Sequence, residues 1–167
     1  MLTIHQKSLY LLVLNATMIL RSIGSTLKNN KNERTLRQYK ICLFQKLESL
    51  INLIEVNQFD ENVLLNTIIE LADQFSISIG QSQKAINVIL KYHYYSTRLN
   101  NNEIKKKLHC PIDSKILQIL GIKNLKLCAI NVETYNNLQN RISEFSELRI
   151  DFDDNWDRQH LEEEGLL

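Results

Sequence analysis

Apolar residues recur at steps of three and four along most of this chain, the spacing that lines one face of an α-helix. Residues 3–27 form the first helical segment, carrying the run Leu9 to Leu20, and the polar stretch Lys28 to Asn32 ends it. Leu36, Leu43, Phe44, Leu47, Leu50, Ile51 and Ile54 predict a second helix reaching about Val56, with Lys40 as one polar exception on that face. Asp60 is placed to cap a third helix that carries Val63, Leu64, Ile68, Leu71 and Phe75. The segment Ser76 to Gly80 breaks it, and a fourth helix starts near Ser82 and runs into the aromatic cluster Tyr92-His-Tyr-Tyr95. A polar turn at Asn100 to Asn102 leads to a short helix from Glu103 to Leu108. Pro111 disfavours helical backbone in the residue before it, so Asp113 reads as the cap of a helix through Leu120, with Gly121 as its natural terminator. A last strong pattern begins at Asn131 and places Val132, Tyr135, Leu138, Ile142, Phe145 and Leu148 on one face.

Composition agrees. Four glycines and one proline in 167 residues are too few for the corners of a barrel, a sandwich or a doubly wound sheet. The expected fold is all-α: a single compact helical domain over residues 1–150, built from six to eight helices, followed by an acidic segment over 151–167. Cys42, Cys110 and Cys128 are odd in number and contain no C-x-x-C pair, which argues against a disulfide framework and for a reducing, cytoplasmic setting. The apolar run at Leu9 to Leu20 is too short for a bilayer span and is interrupted by Asn15 and Thr17, so it reads as a buried helix.

Charge changes the picture. The net charge of +1 is the residue of a strong asymmetry. Residues 80–132 hold Lys84, Lys91, Arg98, Lys105, Lys106, Lys107, Lys115, Lys123 and Lys126 against Glu103 and Asp113, a balance of +7, whereas residues 133–167 carry −7. A basic middle interleaved with Tyr94 and Tyr95 is the composition in which phosphates are neutralised and bases stack, which makes a nucleic acid the expected partner. The competing reading is that the basic middle and the acidic tail lie against each other. A further reading gives the acidic C-terminus to a protein partner, with Trp156 and Phe152 either docking there or pinning the chain end to the core.

The stretch Gly80-Gln-Ser-Gln-Lys84 and the segment His109-Cys-Pro-Ile-Asp113 carry the candidate chemistry. A Gly and a Ser at a helix start leave backbone N–H groups free to receive a phosphate, so Gly80 and Ser82 are candidate contacts, with Lys91, Tyr94, Tyr95 and Lys105 to Lys107 along the same basic region. Lys84, in the first turn of such a helix and near Lys91, would be biased toward the neutral, nucleophilic amine. Asp113 could stabilise a developing positive charge. The bland alternative makes Lys84 a solvated helix residue and Asp113 only a cap. No metal or other cofactor is expected: His93, His109, Cys110 and Cys128 follow no zinc spacing, and Asp151, Asp153 and Asn155 lack the glycine and glutamate of a calcium loop.

The two segments together resemble the helix-hairpin-helix DNA glycosylase superfamily, in which Gly-x-Gly-x-Lys-x-x-Asn opens a helix and a Val-Asp segment downstream supplies an aspartate at a helix start. Gly80, Lys84 and Asn87 match the first pattern, and Pro111, Ile112 and Asp113 the second, while Ser82 stands where the pattern has its second glycine. The interval of 29 residues between Lys84 and Asp113 is similar to that of the archaeal 8-oxoguanine glycosylase branch. The run Gln83-Lys-x-x-Asn-x-x-x-Lys-Tyr92 with His109-x-Pro-Ile-Asp113 is also similar to small bacterial proteins of unassigned function. The resemblance implies a helix-hairpin-helix-like unit in the middle of the chain. It also implies DNA glycosylase and AP-lyase chemistry, with Lys84 as nucleophile, Asp113 as its carboxylate partner and base flipping before both. A non-catalytic helical interaction or regulatory module that binds DNA or a protein remains the alternative.

Overall fold

A computed structural model describes residues 2–29, 34–97 and 99–166, and of Asn155, Trp156, Gln159 and His160 the backbone alone. The expected anchoring or docking role of Trp156 and the charge of Arg98 therefore lie outside what is described. The described residues form nine α-helices and two single 3-10 turns, with no strand: α1 (Ile4–Ala16), α2 (Ile19–Asn29), α3 (Leu36–Glu55), α4 (Glu61–Phe75), α5 (Ile79–Ser96), α6 (Asn102–Lys107), α7 (Ser114–Ile119), α8 (Val132–Phe145) and α9 (Asp154–Glu163). One 3-10 turn is Leu127–Ala129 and the other Arg149–Asp151.

The centre of the molecule is α5, twelve of whose eighteen residues are buried. Helices α1, α2, α3, α4 and α8 and the turn at Leu127–Ala129 all pack against it. A helix so enclosed must satisfy its polar side chains internally. Gln81 donates to the hydroxyls of Ser22 (2.9 Å) and Thr26 (2.8 Å), Ser82 donates to the carbonyl of Ile68 (2.7 Å), and His93 Nδ1 meets the hydroxyl of Tyr10 (2.7 Å).

The helix count exceeds the expected six to eight for two reasons. The segment expected as one helix over 3–27 is two, α1 and α2, bent by 74° about a break at Thr17-Met18, where Met18 takes a left-handed φ of 58°. The bend lets Tyr10 and Leu14 of α1 and Ile19, Leu20, Ile23 and Leu27 of α2 all reach the core, which one straight rod could not do. The acidic tail also supplies a helix of its own, α9. No single described helix is long and apolar enough to cross a membrane, and the bent pair passes such a test only by length and composition.

The caps read from sequence are in place: Asp60 accepts from Asn62 N and Asp113 from Lys115 N and Ile116 N, while Gly121 ends α7 at φ 70°. Asn131, read only as the start of the last helix, caps α8 by accepting from Thr134 N. The start of α5 differs. Ser78 and Gln81 form a reciprocal capping box, so the helix begins at Ile79 and Gly80 lies in its first turn. On α8, Tyr135, Leu138 and Ile142 are buried, but Phe145, its last residue, is 67% exposed.

Candidate functional site

The extended segment His109-Cys-Pro-Ile112 is buried between α5 and α8, and two glutamine side chains hold it. Cys110 N donates to Gln139 Oε1 (3.2 Å) while Gln139 Nε2 donates to Cys110 O (2.8 Å). Two residues on, Ile112 N donates to Gln83 Oε1 (3.1 Å) while Gln83 Nε2 donates to Ile112 O (2.6 Å). Each amide acts as a short strand edge, satisfying both polar groups of a peptide that has no sheet to pair with. Pro111 fits between them because the residue with no N–H leaves no donor to place.

The glutamine on α5 continues into a buried relay. Asn87 Nδ2 donates to Gln83 Oε1 (3.1 Å) and to the hydroxyl of Tyr135 (2.9 Å). That hydroxyl meets His109 Nδ1, and His109 Nε2 meets Glu61 Oε1 at 2.7 Å. Arg149 Nη1 donates to the same Glu61 oxygen (2.7 Å). With Asn87 donating to it, the Tyr135 hydroxyl spends its own proton on His109 Nδ1, which leaves Nε2 carrying the proton toward Glu61. Burial pushes the His109 imidazole below its ordinary range, against the opposing pull of Glu61. The hydrogen bond from His109, aided by Arg149, holds the Glu61 carboxyl down to about 2.

Asp113 emerges from the clamped segment with its two oxygens divided. Oδ1 accepts from Lys115 N (2.9 Å) and Ile116 N (3.1 Å), and Oδ2 meets Lys84 Nζ at 3.3 Å. The Lys84 and Asp113 side chains are 13% and 28% exposed, so the pair lies at the surface with the lysine largely covered. Gln83 couples the two: it is the residue before Lys84, and it holds the peptide immediately before Asp113.

Several sequence expectations need correction. Gly80 and Ser82 are buried and offer no anion site, because the start of α5 is closed by its own capping box and by the Leu127–Ala129 turn, whose Leu127 carbonyl accepts from the Ser78 hydroxyl (2.9 Å). Lys84 stands in the second turn of α5 rather than the first, and Lys91, expected to bias it by repulsion, is itself neutralised by Asp153 (2.6 Å) and Asp154 (3.0 Å). Tyr94 is 4% exposed and exchanges hydrogen bonds with the backbone of Asn101, which removes its face from any stacking base. Tyr95 is exposed, but its hydroxyl is spent on Asp151 and Lys105 Nζ sits 5.2 Å from its ring centre.

Lys105, Lys106, Lys107 and Lys115 are also engaged. Lys105 pairs with Asp151 (2.6 Å), Lys106 with Glu147 (3.6 Å) and Glu103 (3.9 Å), and Lys115 with Asp157 (2.5 Å), while Lys107 donates to the carbonyl of Phe59 (3.0 Å). The basic middle and the acidic tail thus lie against each other, with Asp151, Asp153, Asp154 and Asp157 paired to the chain's own lysines and Glu162 to Glu164 exposed. Among the described residues no group of His, Cys, Asp and Glu is arranged to hold a metal ion. Burial pushes the Cys110 thiol far up, which removes it as a nucleophile.

The sequence singled out Lys84, Asp113 and, through the resemblance, Asn87. It missed Gln83, Gln139, Tyr135 and Glu61 as parts of the same assembly. The available signal was Gln139 on the apolar face of α8, four residues from Tyr135 and three from Ile142: a polar residue in a core stripe needs a buried partner. Comparison with protein families, with curated proteins and with solved structures finds no match.

Proposed function

We propose that this protein acts on DNA as a glycosylase and AP lyase in which Lys84 is the nucleophile and Asp113 its carboxylate partner. The observation that carries the reading is the division of labour on Asp113: one oxygen is fixed by two backbone N–H groups, and the other faces Lys84 Nζ at 3.3 Å. A carboxylate so oriented can take the ammonium proton and stabilise the positive charge that develops at a sugar carbon. The freed amine lone pair then forms a bond to C1′ as the glycosidic bond breaks, and the departing base carries away the electron pair and gains a proton. At an abasic aldehyde the same amine condenses with loss of water to a Schiff base, and loss of a C2′ proton expels the 3′ phosphate. The target nucleotide must leave the helical stack to reach Lys84.

The test is borohydride trapping on oligonucleotides containing an abasic site, uracil or 8-oxoguanine. Wild type should form a covalent adduct with the abasic substrate at least, and Lys84→Gln none. Equal and negligible trapping by both on every substrate ends the reading. One observation favours a non-catalytic DNA-binding module instead: capping α7 by Oδ1 and the ion pair of Oδ2 with Lys84 already give both Asp113 oxygens a structural role. That module binds DNA with a steep salt dependence, traps nothing, and is indifferent to Lys84→Gln.

A further inference from the structure

The lysines around the Lys84–Asp113 pair come from three elements and meet one partner. Lys91 lies seven residues after Lys84 on α5, two turns along the same face; Lys115 is in the first turn of α7, two residues past Asp113; Lys105 comes from α6. All three are paired to one short acidic stretch: Asp151 to Lys105, Asp153 and Asp154 to Lys91, Asp157 to Lys115. Among the described side chains, the firmest anchorage is at the N-terminal side of the stretch. Ile150 is fully buried and Arg149 is tied to Glu61 and to the carbonyl of Lys106, whereas none of the described side chains of α9 is buried. Past Ile150 the described contacts with the body include Phe152 against Phe145, the Tyr95 hydroxyl on Asp151 and four ion pairs, and the ion pairs are the kind of contact that salt and competing anions weaken.

We infer that residues 151–157 occupy the track on which a DNA backbone lies, so that the acidic tail and the phosphates compete for Lys91, Lys105 and Lys115. The inference rests on the reading that this chain acts on DNA and adds its regulation: with the tail docked, the surface flanking Lys84 carries more carboxylates than lysines and repels a polyanion. The four carboxylates stand in for phosphates on these lysines. DNA binding displaces them, with Ile150 as the hinge point that keeps the tail near its site.

Two measurements on the full-length protein test this. In wild type, hydrogen exchange of the amides of 154–163 should accelerate when a short duplex carrying an abasic site is added, because the tail is lifted from its lysines. Unchanged or slower exchange at saturating duplex overturns the inference. In the second, Asp151, Asp153, Asp154 and Asp157 are all changed to Asn, and duplex affinity is followed by fluorescence anisotropy over a salt series. The variant should bind about tenfold or more tightly at low salt, with the salt slope steeper by about three for the three lysines released. Equal affinity and slope overturn it, and equal gains for vesicles of anionic phospholipid overturn the commitment to DNA. Tighter binding and faster exchange without borohydride trapping keep the inference and remove the lyase reading. Trapping without either change does the reverse.

Discussion

Gln83 and Ile112 are joined as two strands would be, the side-chain amide of one satisfying both the N–H (3.1 Å) and the C=O (2.6 Å) of the other, although 29 residues separate them. The Lys84–Asp113 pair inherits its geometry from this contact, since each member is adjacent in sequence to a member of the clamp. The clamp is supported from behind by Asn87 and Tyr135, so the orientation of a surface carboxylate is set by a polar network within the core.

Gln83→Leu keeps the volume and removes both partners of the Ile112 peptide. A buried peptide group left unpaired costs about 1–3 kcal/mol, and two such groups set the expected loss at about 2–6 kcal/mol. Urea unfolding should show a lower midpoint at an unchanged m-value. A loss under about 1 kcal/mol would mean that water replaces the amide and that the clamp does not hold the segment.

The two helical glycines should respond to alanine with opposite signs. A Cβ on Gly80 would stand 2.1 Å from the carbonyl oxygen of Leu127, a backbone atom that cannot turn aside, while a Cβ on Gly24 would meet only Leu36 Cδ2 at 3.3 Å, the end of a flexible side chain. Replacing a helical Gly by Ala gains about 0.5–1 kcal/mol. At Gly24 that gain should survive in large part. At Gly80 displacement of the turn costs more than the gain, by about 1–3 kcal/mol for an overpacked site. Thermal unfolding of the two variants beside wild type decides it, and a Gly80→Ala protein as stable as wild type would show that the Leu127–Ala129 turn is not seated on α5.

How much of this was legible follows from where each signal resides. Asp60, Asp113, Asn131 and Gly121 act within three or four residues of themselves, so the sequence displays them directly. The Thr17-Met18 break has no Gly or Pro to announce it, because tertiary packing imposes it. The start of α5 was written in Ser78-x-x-Gln81, but Gly80 and Ser82 are the more conspicuous residues and drew the start of the helix too far along. The pairing of tail and lysines was readable as a charge balance, though not as a set of partners. The Glu61–His109–Tyr135–Asn87 relay joins residues up to 48 apart in sequence, and no local pattern marks a contact of that kind.

Substitutions at Asp113 separate its two roles. Asparagine caps a helix about as well as aspartate, so Asp113→Asn should keep the bonds from Lys115 N and Ile116 N and lose only a partly exposed ion pair, costing about 1 kcal/mol or less. Asp113→Ala loses the cap as well and should cost about 1–2 kcal/mol in urea unfolding. On the catalytic reading Asp113→Asn nevertheless traps far less abasic DNA than wild type, at nearly full stability. Trapping that survives in Asp113→Asn but falls in Asp113→Ala would assign the aspartate to structure alone.

The pH dependence of stability should show two limbs with different owners. The folded-state pKa values of His109 and His93 are lowered from 6.5, by burial above all, so below pH 6.5 the unfolded chain binds protons that the folded one refuses. Stability therefore falls as pH drops through that region. Glu61 is held at about 2 against 4.5 when free, chiefly by its hydrogen bond from His109, so its contribution is fully present above pH 4.5 and disappears as pH falls toward 2. Glu61→Gln removes the lower limb and, by taking away the carboxylate that pulls His109 upward, keeps the upper one or deepens it. Thermal midpoints from pH 8 to pH 2 should accordingly lie below wild type at neutral pH and approach it as pH falls through the window from 4.5 to 2. Curves that stay parallel down to pH 2 would show that Glu61 gains nothing in the fold from His109 and Arg149, and that the relay ends at the histidine.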